Sequence, residues 1–255
     1  MNHTTRKLPA QAAPAGALLG TLLLAACSQQ PANAPATGAA DTAGTPATAA
    51  PSTAPPVDFS GTWLPDANQE TLQSTDGMPI PLNAEGEKLH AAHLAAASRG
   101  DRSWDGTGRC IPPGTPRILG IAQPFEIGQD AHQLSMTFQY QRLVRFVALD
   151  AVYATNADAS FMGDSQGHWD GQTLVIETTR LKAGTLLDAS GLPHGKELKL
   201  TERLSLADAD TLVDDVTFSD PAYYSRDWSA RLRFTRLKSG GAGEDVCVER
   251  TGIHK

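Results

Sequence analysis

The sequence predicts a mainly β protein: an antiparallel meander of short strands closing into a β-barrel, with one helix over about 83–98 before the main strands. Three observations carry that expectation. Apolar and polar residues alternate with period two in stretch after stretch of the second half, as they do in a sheet with one buried face. The stretches follow one another across short polar turns, which implies antiparallel neighbours, and six or more such strands favour closure because closure removes exposed edges. The composition is also turn-rich, with 23 Gly, 17 Pro and 6% aromatic residues in 255, which suits short strands better than long helices.

The folded part opens with Val57-Asp58-Phe59-Ser60-Gly61-Thr62-Trp63, a first strand. Asn83 to Ser98 forms the helix: Asn83 caps it, and Glu85 and Glu87 stand in the first turn, where the dipole favours anions. His90 and His93 share one of its faces. Their spacing fits a metal pair or a half-exposed helix surface, and the lack of a further ligand nearby favours the surface. Cys110 to Arg117 (CIPPGTPR) is a rigid extended connection whose prolines exclude helix and make a poor central strand.

The meander follows. Leu134, Met136, Phe138 and Tyr140 alternate with Ser135, Thr137 and Gln139, and Arg142 to Leu149 pairs with them as a hairpin. The chain is organised around Phe161 to Thr178, where Gly163, Gly167 and Gly171 predict a tight multi-turn loop ahead of a strand over Thr173 to Thr179. Leu198, Leu200, Leu204 and Leu206 share one face of the next strand, and Leu212, Val216 and Phe218 one face of another. Trp228, Ala230, Leu232 and Phe234 line a further strand, with Arg231 and Arg233 on its other side, and Val246 to Arg250 closes the set.

The N-terminus reads as a targeting segment. Arg6 and Lys7 precede an apolar run, Gly16 to Ala26, well short of the roughly 20 residues that a spanning helix needs. Leu24-Ala25-Ala26-Cys27 resembles the lipobox of bacterial lipoproteins. The resemblance implies cleavage before Cys27, acylation of Cys27, and, because Ser28 follows, sorting to the outer membrane on its periplasmic side. Each buried acyl methylene contributes about 0.8 kcal/mol, so several chains anchor the protein durably. Ser28 to Pro56 is almost wholly Ala, Pro, Thr, Gln, Gly and Ser and reads as a disordered tether. The expected organisation is a signal peptide at 1–26, a tether at 27–56 and a barrel domain at 57–253. A net charge of −7 argues against a nucleic-acid surface.

With Cys27 assigned to lipid, Cys110 and Cys247 remain. In an oxidising envelope compartment they are most simply one disulfide, worth roughly 2 to 5 kcal/mol. The alternative, two free thiols with one nucleophilic, lacks a nearby His to activate either.

Two acids fall on apolar faces. Glu202 shares its side with Leu200 and Leu204, Asp214 with Leu212 and Val216, and Arg145, between Leu143 and Val147 at spacing two, is their candidate partner. Unpaired burial costs several kcal/mol, so each acid needs a partner or a raised pKa. The group is either a set of polar anchors inside a ligand cavity or a buried ion pair. In the central loop Asp164 and His168 are candidate polar site residues, together with His194 from Leu192-Pro193-His194-Gly195. Gly163-Asp164-Ser165 resembles the tripeptide of hydrolases whose nucleophilic Ser lies near the start of a parallel α/β fold. Here it lies mid-chain among hairpins, with no base or oxyanion site visible in sequence. No metal or cofactor set is expected.

Gly61-x-Trp63 resembles the opening of lipocalin-like barrels, in which the Trp plugs one end. The helix with RCIPPGTPRI, then FMGDSQGHWDGQTLVIETT, LLDASGLPHGKELKLTERL, DADTLVDDVTFSDPAYYSRDW and VCVER are together similar to an uncharacterised family of bacterial secreted or lipid-anchored proteins. That resemblance spans most of Trp63 to Arg250 and implies one compact unit and no particular reaction. Members often carry a His just before the Gly-rich loop, whereas Ala151 to Ser160 has none. The leading expectation is an envelope protein that binds a small apolar or amphiphilic ligand in the barrel, with Arg145, Glu202 and Asp214 as anchors and Trp63 and Trp228 as apolar wall. The alternatives are a small hydrolase or isomerase pairing His168 or His194 with Asp164 or Glu202, and a non-catalytic interaction module of the envelope.

Overall fold

The computed structural model describes residues 55–149 and 158–248. The signal segment, Cys27 and nearly all of the tether lie outside the described residues, as do 150–157, Glu249 and Arg250. The described chain forms a closed barrel of nine strands. They are β1 (Gly61–Pro65), β2 (Phe125–Gln129), β3 (Gln133–Phe138), β4 (Val144–Ala148), β5 (Asp164–Asp170), β6 (Thr173–Thr179), β7 (Lys199–Asp208), β8 (Thr211–Ser219) and β9 (Trp228–Arg236). Each pairs with its neighbour in sequence, and β1 closes the ring on β9 through Trp63↔Arg236 and Pro65↔Phe234. Period-two alternation drives this. Leu200 and Leu204, Leu212 and Val216, and Ala230 and Leu232 all point inward, and the inward side chains around the barrel pack into one contiguous apolar cluster.

The helix, α1 (Ala84–Ser98), forms as its sequence dictates: the Asn83 side chain accepts the Gly86 N–H at 3.0 Å, and Glu85 and Glu87 occupy the first turn. His90 bonds Ser190, and His93 donates from Nδ1 to the Gly191 carbonyl while stacking on Trp104. Both histidines thus dock α1 on the loop around residue 190.

Four sequence expectations need correction. The barrel is not wholly antiparallel: β4 and β5 run parallel, joined by only Val147↔Ser165 and Ala148↔Gln166. A parallel junction requires a crossover connection between its two strands. Second, Asp164–Asp170 is a strand and not a multi-turn loop, and the turn is confined to Gly171 and Gln172, between the paired Asp170 and Thr173. Gly171 has φ +62°, a conformation suited to Gly in a two-residue hairpin. Third, β2 was not foreseen, although Phe125 and Ile127 alternate. Fourth, the described part of Val246 to Arg250 is no strand, and β1 takes the closing position instead. The segment after β9 is a strap: Arg142 donates to the Ala242 and Gly243 carbonyls, and Asp245 accepts the Gln141 N–H at 2.7 Å. Cys110 and Cys247 form a disulfide across 137 residues of sequence, as the cysteine arithmetic implied.

Candidate functional site

Arg145, Glu202 and Asp214 meet inside the barrel. β4 turns Arg145 inward, β7 does so for Glu202 and β8 for Asp214, leaving them 1%, 0% and 1% exposed. Arg145 forks onto Glu202, with one nitrogen 2.8 Å from Oε1 and the other on Oε2. It also donates to Ser165 at 3.1 and 3.2 Å and to Thr178 at 2.7 Å. Thr178 donates its one hydroxyl proton to Glu202 Oε2 at 3.3 Å, so Ser165 must donate to Thr178 across their 2.9 Å contact. Bidentate pairing with added hydroxyl donors is what a buried ion pair needs to offset desolvation.

Asp214 completes the group as a neutral acid. Burial, and then the negative charge of Glu202, push its carboxyl well above the usual range, while Arg145 opposes them. A side-chain hydrogen bond with Glu202 raises it further, and Asp214 Oδ1 is buried with no hydrogen-bond partner among the described residues. The guanidinium and one carboxylate cancel, so the cluster has no net charge.

Arg145, Glu202 and Asp214 are not among the residues that line the cavity beside them. That cavity lies at the β4–β5 seam, about 510 Å³ in volume and lined by Gln133, Leu143, Val144, Phe146, Ala148, Ser160, Phe161, Met162, Gly163, Asp164 and Ser165. Ser165 belongs to both, with its hydroxyl on Arg145 and its residue in the cavity wall. The wall is mainly apolar because β4 is inverted: Arg145 points in, leaving Val144 and Phe146 38% and 59% exposed. Asp164, at the edge, lies 3.5 Å from Arg180.

The remaining sequence candidates are dispersed. Trp63 is fully buried in the core, donating to the Phe59 carbonyl at 2.9 Å beneath the Arg236 guanidinium. Trp228 stacks on Phe218 with centroids 4.2 Å apart. His168 is exposed on the outer side of β5, opposite Val175. His194 is buried in a separate cleft, 2.6 Å from Thr185. Neither Asp164 nor Glu202 bonds a histidine; each is engaged by an arginine. The sequence reading missed Ser165 and Thr178 as Arg145 partners, and Phe146, Phe161 and Met162 as cavity wall. The available signal was Val144 and Phe146 themselves: with Arg145 inside, alternation requires them outside.

No family model matches the chain, and no curated protein matches it. Among solved structures the chain is similar to the wild-type fluorescent protein UnaG, at 14% identity over 70% of this chain and 97% of that one, with a TM-score of 0.32. Two mutants of UnaG match at 13% and 12% identity, each over 71% of this chain and 97% of theirs, with TM-scores of 0.32.

Proposed function

We propose that this protein binds a small amphiphilic ligand, apolar in body and uncharged at its hydrogen-bonding end, at the β4–β5 seam of the barrel. The observation that carries the proposal is the seam cavity of about 510 Å³, in which Phe146, Phe161 and Met162 face a polar edge made by Ser160, Asp164 and Ser165. That size, with apolar walls and few convergent polar groups, is characteristic of small-ligand sites. Charge selects the head group. Arg145 is already neutralised by Glu202, Asp164 at the rim is held by Arg180 at 3.5 Å, and Lys182 stands outside the lining over the Phe161 ring, so no cationic side chain belongs to the cavity wall to receive a carboxylate. An alcohol or amide end can donate to the Ser160 hydroxyl oxygen, whose own proton goes to the Gly163 carbonyl at 3.2 Å. Binding deeper in the barrel would require Glu202 to leave Arg145, exposing a buried charge to an apolar core at a cost of several kcal/mol.

We further propose that the barrel is held on the periplasmic side of a bacterial outer membrane by acyl chains on Cys27. The lipobox-like Leu24-Ala25-Ala26-Cys27 supports this reading. Replacing Cys27 by Ser moves the protein from the membrane to the soluble fraction on cell fractionation; retention in the membrane refutes the anchor.

Ligand binding is tested with Nile red, an uncharged apolar dye, and its displacement by a dodecyl alcohol and by the acid of equal chain length. The alcohol competes at least tenfold better than the acid, and Phe146→Asp weakens dye binding at least tenfold. Because Phe146 is 59% exposed, that substitution leaves thermal stability nearly unchanged. Equal competition by alcohol and acid refutes the head-group assignment, and unaltered dye binding by Phe146→Asp refutes the site.

A further inference from the structure

A second cleft lies apart from the barrel seam, about 390 Å³ in volume, with Leu89, His93, Trp104, Leu186 and Tyr223 among its walls and Thr185, His194 and Lys196 beside them. The isolated bridge between Leu186 and Pro193 sets Thr185 opposite His194. The two side chains meet at 2.6 Å, Oγ1 to Nε2. His194 Nδ1 lies 2.9 Å from the Gly195 carbonyl, which only accepts, so Nδ1 carries the ring proton. Burial holds the imidazole below its ordinary pKa, against the Gly195 bond and the charge of Asp220. The neutral ring therefore presents a lone pair at Nε2, and the one Thr185 hydroxyl proton has two acceptors in reach, Nε2 at 2.6 Å and the Lys182 carbonyl at 3.1 Å, of which the imidazole is the nearer. The orienting peptide is fixed in turn, since buried Asp220 accepts the Gly195 N–H at 2.7 Å and the Ala222 N–H at 3.2 Å.

A hydroxyl within hydrogen-bond reach of a neutral imidazole, the imidazole held in one tautomer by a third group, is the arrangement that activates an oxygen nucleophile. The cleft also supplies a place for a substrate. His93 and Trp104 stack with centroids 4.6 Å apart and form a flat aromatic wall, and Lys196, at the mouth of the cleft, is exposed and lies 3.7 Å from Glu197. Aromatic and apolar walls favour a small ester with a planar or short apolar portion.

We propose that this cleft is an acyl-transfer site for small esters, with Thr185 as nucleophile and His194 as general base. Thr185 Oγ1 attacks the ester carbonyl carbon as its proton passes to His194 Nε2, and the carbonyl electron pair moves to its oxygen. Collapse of the tetrahedral adduct breaks the bond to the alcohol oxygen, which takes the proton from His194. The acyl group is left on Thr185. A water molecule then gives a proton to His194 and attacks the acyl carbon, and the proton returns to Thr185 as the carboxylic acid departs. The sum is ester and water to acid and alcohol, with no redox change.

The full chain incubated with p-nitrophenyl acetate tests this. The expected results are nitrophenol release above the buffer blank and an acetyl mass on the peptide containing Thr185. Thr185→Val and His194→Gln each lower the rate at least 100-fold, the scale of one general base, whereas Thr185→Ser stays within tenfold of wild type. Release no faster than the blank overturns the proposal, as does full activity in Thr185→Val or acetylation confined to lysines. Where Thr185→Val does not fold, the site of acetylation on the wild-type chain decides.

Discussion

Replacing Asp214 by Asn alters one proton and little else. The side chain is 1% exposed, and its carboxyl retains a proton because burial and the Glu202 charge raise it well above the ordinary range. In the unfolded chain the same carboxyl loses that proton above about pH 3.9. The folded state therefore binds more protons than the unfolded state throughout the interval between these two values. Stability contributed by the group is fully present below the ordinary pKa and declines as pH rises toward the raised one. The slope for one proton is about 1.4 kcal/mol per pH unit. Asn keeps an N–H to donate to Glu202 and has no such titration. Urea denaturation of both proteins at closely spaced pH values from 4.5 to 6 isolates the effect, since the other titrating groups are common to both. The variant gains on the wild type by about 1.4 kcal/mol for each unit of rising pH. Parallel stability curves would show that Asp214 is ionised in the folded protein, and the neutral cluster described above would be wrong.

The ion pair and the disulfide give two further tests. Glu202→Leu strands the Arg145 charge in the core and lowers unfolding free energy by roughly 3 to 5 kcal/mol, whereas the double variant Arg145→Met with Glu202→Leu loses less than the single one; a double loss equal to the sum of the singles refutes the coupling. Replacing Cys110 and Cys247 by Ser lowers stability by roughly 2 to 5 kcal/mol. Reductant brings the wild type to the same urea midpoint, and indifference to reductant excludes the bond.

Legibility in sequence divides along a physical line. Glu202, Asp214 and Arg145 were placed on inner faces because the flanking Leu and Val residues fix the face and a period of two fixes everything else on the strand. That the three meet depends on register between strands far apart in sequence, and alternation does not encode it. The β5 error arose from reading Gly163, Gly167 and Gly171 as one turn signal. Gly167 is an inward strand position where an added Cβ would come 3.0 Å from both Val147 and Leu149. Its glycine serves close packing, not chain reversal. Ser165, Gly167 and Trp169 do alternate against Gln166, His168 and Asp170, but small and polar residues conceal the pattern. The parallel β4–β5 junction was hidden because short turns were assumed throughout. The meeting of Thr185 and His194 follows from one isolated bridge, which no periodicity announces.

The buried cluster and the seam cavity belong to one piece of architecture. A junction of two residue pairs provides few ladder hydrogen bonds. Arg145 on β4 adds bonds to Ser165 on β5, Thr178 on β6 and Glu202 on β7, tying the weak joint to the strands beyond it. Turning Arg145 inward for this purpose forces Val144 and Phe146 outward, so their exposure has a purely structural cause. Alternation on β4 does not, however, account for Phe161 and Met162. They come from the segment before β5, owe nothing to the β4 period, and still line the same cavity as Phe146. An exposed apolar strand face on its own would be a by-product of the staple. Its enclosure by apolar side chains from a second segment, with Ser165 and Asp164 at the edge, is what favours a ligand there.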